Sequence, residues 1–129
     1  RYWQSIALTY AHIAIRAYGC DNGCMNNLAI DRAASIFRVL GHAGRLEIVV
    51  TLFDGGRSVS ELAEQLQMTQ PLVSQHLRTL RDVGLVAVTV SGRNRIYEIA
   101  DEHVRHVVGD ALTHSVEHLE YPDSGAITN

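Results

Sequence analysis

The sequence predicts a mainly helical domain carrying one small β-hairpin. Three observations predict it. Between Ser58 and Val83 two short amphipathic helix patterns follow one another across a tight turn. A strand-like pair, Leu85–Val90 and Arg95–Ile99, comes next, joined by the turn chemistry of Ser91-Gly92-Arg93-Asn94. Elsewhere the body keeps apolar residues at helical spacing, over 28–40, 45–53 and 102–119.

Each element has a local reason. Residues 1–18 are compatible with an accessory amphipathic helix, because Trp3, Ile6, Tyr10, Ile13 and Ala17 recur at spacings of three and four. Gly19 to Asn27, rich in Gly and Asn, reads as a loop. The patterned body opens at Leu28, with Asp31 as the cap of a helix reaching Leu40 and Ala34, Phe37, Val39 and Leu40 facing inward. Gly41 to Gly44 breaks it. Arg45–Phe53 forms a second helix on Leu46, Val49, Val50 and Phe53, ended by Asp54-Gly55-Gly56. Ser58 and Glu61 make a capping box for a short helix with Leu62, Ala63 and Leu66 inside. Gln67-Met68 is the turn. Thr69 caps the next helix, and Pro71 sits in its first turn, where a missing N–H costs nothing. Its buried stripe is Leu72, Val73, Leu77 and Leu80, and Gly84 ends it. After the hairpin, Asp101 caps a last helix running from Glu102 to about Leu119. The domain reading is an N-terminal extension over 1–27, a body over 28–120 and a flexible tail over 121–129.

Composition sets the chemical bounds. The chain has 129 residues with 47% hydrophobic and 19% charged, which is globular rather than disordered. The net charge is −3, an average over two opposed regions. From Gln70 to Ile96 there are four arginines against Asp82, a balance of +3. From Tyr97 to Asn129 there is Arg105 against seven acids, a balance of −6, with four of the seven histidines among them. Cys20 and Cys24 make no disulfide framework, and a reduced cytoplasmic setting is the default. Ile6–Ala17 is apolar but interrupted by Tyr10, His12 and Arg16, too short and too polar to span a bilayer.

Short helix, turn, second helix and basic-tipped hairpin, in that order, describe a winged helix-turn-helix. The second helix would enter a major groove of DNA, and its outward residues Gln70, Ser74, Gln75, Arg78 and Arg81 are the types that read base edges or hold phosphates. Arg93 and Arg95 at the hairpin tip can reach phosphate or the minor groove. His76 lies on the same helix, either as a DNA contact or in a partly buried role.

The last helix carries a second constellation, Asp101, His103, His114 and Glu117. His103 and His114 return within roughly 20° of one face, yet stand about 16 Å apart along a straight helix. One ion therefore cannot join them within one chain. An antiparallel second copy brings Asp101 and His103 of one protomer to His114 and Glu117 of the other, with Gly109 near the crossing. Two imidazoles and two carboxylates suit Zn(II), Co(II) or Ni(II). His106 and His118 are alternative extra ligands, or exposed bystanders.

The stretch VSELAEQLQMTQPLVSQHLRTLRDVGLV followed by SGRNRIYEI, with VLGHAGRLEIVVTL before it, resembles the ArsR/SmtB family of metal-responsive bacterial repressors. The likeness extends from about Leu28 to Leu119. It implies a homodimer bound to a palindromic operator, with Gln70, Ser74 and Gln75 at DNA-contact positions and Pro71 replacing a frequent Ser. It also implies that the spacing D-x-H-x(10)-H-x-x-E is the interfacial site of the zinc-sensing branch, falling on Asp101, His103, His114 and Glu117. Metal would then release the operator, and His114 would couple toward the backbone near Gly84. The family's other site needs cysteines in the helix over 58–68, which has none. Nickel or cobalt sensing, and a regulator without metal response, are the alternatives. An enzyme is the competing class, because His114-Ser-Val-Glu-His118 spells the inverted zinc-peptidase motif. A chain that spends Ser58–Ile99 on a winged helix leaves little for a substrate cleft, so no catalytic residue is expected.

Overall fold

The computed structural model describes residues 22–120, and the side chains over 27–117. The expected accessory helix over 1–18, Cys20 and the tail over 121–129 lie outside the described residues, as do the side chains of Cys24 and His118. In chain order the elements are α1 (Asn22–Leu40), α2 (Ala43–Thr51), a 3-10 turn (Leu52–Asp54), α3 (Val59–Leu66), α4 (Gln70–Asp82), β1 (Val86–Ser91), β2 (Asn94–Ile99) and α5 (Glu102–Glu120). The chain divides into two compact units at Arg38 and Val39.

Of the first unit the described residues are those of α1 as far as Arg38, the last two residues of the helix falling in the second unit. That helix begins inside the stretch expected to be a loop, nine residues before the expected cap. Once a helix is nucleated each residue adds one hydrogen bond, so isolated Asn and Gly, costing about 1 kcal/mol or less each, do not stop it. Asp31 is therefore an interior residue, whose carbonyl accepts the Ser35 hydroxyl at 3.1 Å. Ala34 and Phe37 are exposed rather than inward, Phe37 by 62%.

The second unit is built on a stripe that crosses three helices. Ile48, Val49 and Leu52 from α2 and its turn, Leu62 from α3, and Val73, Leu77 and Leu80 from α4 are all fully buried. Burying each such side chain stabilises the fold by about 1.5–3 kcal/mol. Leu85, Val86 and Tyr97 close the core from the hairpin, and Val104 and Val108 from α5. On α2 the stripe sits one position away from the expected one, with Val50 exposed and Ile48 and Leu52 inward. On α4 Val73, Leu77 and Leu80 are inward as expected, while Leu72 is exposed and His76 joins the stripe. One residue is about 100° of helix, enough to carry a side chain from core to rim.

The caps fix where α3, α4 and α5 start. The Ser58 hydroxyl oxygen accepts the Glu61 N–H at 3.2 Å and donates its proton to the Glu61 carboxylate at 3.2 Å. Gln67 closes α3 in the left-handed region at φ 54°, which makes the tight turn. Thr69 accepts the Leu72 N–H at 3.4 Å, and Pro71 stands in the first turn of α4. Asp101 Oδ1 accepts the Val104 N–H at 3.2 Å.

The hairpin is antiparallel, pairing Val86 with Ile99 through Ser91 with Asn94. Gly92 and Arg93 are its two-residue loop, and of the pair only Gly92 has positive φ (64°), the pattern of a type II′ turn. Arg57 extends the sheet by one bridge, exchanging N–H and carbonyl with Tyr97 at 2.9 and 2.8 Å. A Cβ on Gly56 would stand 2.6 Å from Ile96 Cγ2, so this close approach of backbone to hairpin requires glycine.

Candidate nucleic-acid interface and metal-ligand helix

The face of α4 opposite its buried stripe carries Gln70, Ser74, Gln75, Arg78 and Arg81, all exposed. That follows from helical periodicity: with Val73, His76, Leu77 and Leu80 inward, these positions must point out. Beside them the hairpin places Arg95 and Tyr97. The two elements enclose a concavity of about 590 Å³ lined by Pro71, Ser74, Gln75, Arg78, Arg81, Asp82, Arg95 and Tyr97. Three guanidinium groups against one carboxylate give it a positively charged lining, and guanidinium is the side chain best suited to pair with phosphate. Arg93 is exposed at the hairpin tip, within the loop. The Gln70 side-chain amide donates to the Ser60 hydroxyl at 3.4 Å, which ties the start of α4 to α3.

Of the two roles open for His76, a DNA contact or a partly buried position, the structure shows the buried one. It is 6% exposed and faces α2, its ring centroid 4.8 Å from that of His42. His42 is the N-cap of α2, its Nδ1 accepting the Gly44 N–H at 3.1 Å. Burial lowers the His76 pKa below the usual histidine value, and the nearby His42 and Arg45 lower it further. It is an inward-facing residue of α4, on a different face of the helix from its neighbours Gln75 and Arg78.

Asp82 and Tyr97 also line the concavity, although the sequence reading does not point to them. One periodicity contains that information for Tyr97, which is two residues after Arg95 on the same face of a strand.

On α5 the structure brings Asp101 and His103 together, with Nδ1 to Oδ1 at 3.5 Å and side chains 55% and 80% exposed. An imidazole and a carboxylate, adjacent and open to solvent, are a fitting half-set of ligands for a borderline divalent ion. His106, His114 and Glu117 are exposed further along the helix. Among the described residues no three His, Cys, Asp or Glu side chains of one chain converge on a point. Gly109 faces open space, with nothing described within 4 Å of a Cβ built on it. Gly84 closes α4 with φ 77° and donates its N–H to the Arg81 carbonyl at 3.0 Å. No described helix is long and apolar enough to cross a membrane.

A capped helix-turn-helix backed by a third helix and flanked by an arginine-bearing hairpin defines a winged helix-turn-helix protein. Residues 42–88 match the family described as "Bacterial regulatory protein, arsR family". The chain is 42% identical over 88 residues to the HTH-type transcriptional repressor SmtB of Mycobacterium tuberculosis, covering 68% of this chain and 65% of that protein. It is 38% identical over 95 residues to the HTH-type transcriptional regulator NmtR of the same organism, covering 74% of this chain and 78% of that one. Among solved structures it is similar to the homodimeric winged helix-turn-helix DNA-binding domain of Mb0332 from Mycobacterium bovis. There the TM-score is 0.71 at 27% identity, over 78% of this chain and 93% of that one. The chain belongs to the ArsR/SmtB family.

Proposed function

We propose that the protein is a metal-responsive transcriptional repressor that binds a palindromic operator as a homodimer and is not an enzyme. The observation that carries the DNA part is the concavity between α4 and the hairpin. Ser74 and Gln75 stand beside Arg78, Arg81 and Arg95 on its wall. Base-reading amides and hydroxyls there border phosphate-holding guanidiniums, as a helix entering a major groove requires. The SmtB relative is a repressor by name, and the Mb0332 domain is homodimeric. A cytoplasmic location accords with a DNA-binding role.

The metal part rests on α5. The exposed Asp101–His103 pair supplies one imidazole and one carboxylate. His114 and Glu117 of a second protomer, lying antiparallel, complete a set of four. Zn(II), or Co(II) or Ni(II), supplies a divalent charge at that position when bound. His103 and Asp101 hold the first turn of α5, His114 and Glu117 hold the partner's later turns, and the pair of helices is thereby fixed. His106, one turn from His103, and His118 are the extra ligands that nickel or cobalt would recruit. Operator and metal oppose each other through a coupling free energy that is equal in both directions. His114 also couples the site toward the chain reversal at Gly84.

The test is fluorescence anisotropy of a labelled operator duplex, with each metal added in turn to the complex. Zinc is expected to release the native protein. His114→Ala is expected to bind the duplex with native affinity and to ignore metal. A His114→Ala protein that still responded to zinc would remove His114 from the site. A native complex indifferent to all three metals would leave a winged-helix regulator without metal response.

A further inference from the structure

We propose that Arg105 is the residue through which the position of α5 is transmitted to the winged-helix body. The inference rests on the reading of α5 as the effector helix.

The last helix is attached to the body along a narrow apolar seam. Val104 and Val108 are buried, whereas Val107, Leu112 and Val116 are exposed. Arg105 stands at the edge of that seam, one turn after the Asp101 cap, and makes three contacts. Its guanidinium donates to the carbonyl of Phe53, 52 residues away in sequence. Its charged centre lies 5.7 Å from the Phe53 ring centroid. Its Nε stands 3.3 Å from the Glu102 carboxylate.

Phe53 sits in the 3-10 turn that continues α2. That turn packs on β2, and α2 packs on α4. One side chain thus reaches the element that backs the recognition helix and the strand that carries Arg95. The carbonyl and ring of Phe53 move with the body, and Glu102 moves with α5. Rotation of the first turn of α5 carries the Glu102–Arg105 pair with it and strains the two Phe53 contacts, because a planar guanidinium donates to that carbonyl and lies over that ring only within a limited range of orientations. Asp101 and His103 lie in and beside that same turn, so ligation there acts on the segment that carries Arg105. Buried valines alone would slide, since apolar packing has no direction. The guanidinium makes the attachment directional, and so able to report where α5 is.

The experiment uses the full chain in native, Arg105→Met and Arg105→Lys forms. The DNA probe is a fluorescein-labelled duplex selected by the metal-free native protein from a random-sequence pool. Three quantities are measured: duplex affinity without metal, zinc affinity of the free protein by competition with a chromophoric chelator, and the ratio of duplex affinities without and with Zn(II). For the native chain that ratio is expected in the range of roughly 5- to 150-fold that allosteric couplings usually span. For Arg105→Met it is expected to fall to about one, with metal-free duplex affinity and zinc affinity within about twofold of native. Arg105→Lys keeps the charge and loses the planar fork, so its ratio should be intermediate. Should Arg105→Met fail to fold, Arg105→Lys with a native melting curve and a reduced ratio supports the proposal, and one with the native ratio overturns it. A native ratio in Arg105→Met overturns it while leaving the metal reading intact. Loss of zinc affinity in that variant also overturns it, because Arg105 would then support the ligands rather than transmit their effect. A native chain with no ratio overturns the metal reading, and this proposal with it.

Discussion

The helix-turn-helix with its hairpin and the last helix differ in how much of their work one chain can do alone. Between Ser58 and Ile99 the outward residues stand on a body whose inward residues are fully buried, and the positively charged concavity is closed by two elements of one chain. Along α5 only Val104 and Val108 are buried among the described side chains, and the Asp101–His103 pair is wide open to solvent. The first region is rigid because apolar packing over-determines it. The second keeps charged and titratable groups in water and depends on whatever it meets. A sensor needs that asymmetry: a fixed reader, and an effector element cheap enough to move.

The comparison breaks most visibly on stability. Leu77→Ala removes a fully buried side chain from the stripe of α4 and is expected to destabilise the metal-free protein by about 2–5 kcal/mol. Glu117→Ala on exposed α5 is expected to stay within about 0.5 kcal/mol. Urea unfolding followed by circular dichroism measures both. Equal effects would mean that α5 is as much a part of the folded core as α4.

Salt dependence sharpens it next. If Arg78 and Arg95 hold phosphates, the slope of log affinity against log salt should lose roughly one unit for each arginine replaced by alanine. The zinc effect on the remaining affinity should persist, because the proposed metal ligands lie on the other region. A double variant with the native slope would take the concavity out of the DNA interface. One that lost the zinc effect would join two regions held here to be separable.

The two regions were also legible to different degrees. The caps Ser58, Thr69 and Asp101, Pro71 in the first turn of α4, and the loop at Gly92 are local signals, and local hydrogen bonds decide them. The inward stripe of α2 is readable only to within one residue, since Val49 and Val50 are alike in hydropathy and only tertiary packing chooses between the faces. On α4 the stripe is legible except at Leu72, and of the two roles open for His76 its position three after Val73 selects the inward one. The start of α1 was missed because Gly and Asn signal a break that helix propagation overrides. On α5 the sequence places Asp101 and His103 in one half of a shared site, and their meeting within one chain follows from Asp101 standing at the cap rather than within the helix. The tie from Arg105 to Phe53 spans 52 residues, and no local pattern contains it.

The smallest expected effect concerns His76 itself and tests whether the reader helix is as indifferent to its surroundings as its packing suggests. Burial between α4 and α2 penalises the imidazolium, and the neighbouring His42 and Arg45 penalise it further, so the folded-state pKa lies below the ordinary 6.5. Neither the carboxylates of α3, Glu61 and Glu64, nor β1, which has no titratable side chain, offsets these. The unfolded chain therefore binds more protons than the folded one between the folded value and 6.5. Stability rises with pH across that window: the contribution of His76 is complete above 6.5 and is lost as the pH falls toward the folded value. Urea midpoints at about pH 7.5 and about pH 5.5 should separate more for the native chain than for His76→Leu, which keeps the volume and cannot titrate. Parallel profiles in the two proteins would show that His76 is hydrated in the folded state, and that the packing of α4 on α2 is looser than the buried stripe of Val73, Leu77 and Leu80 implies.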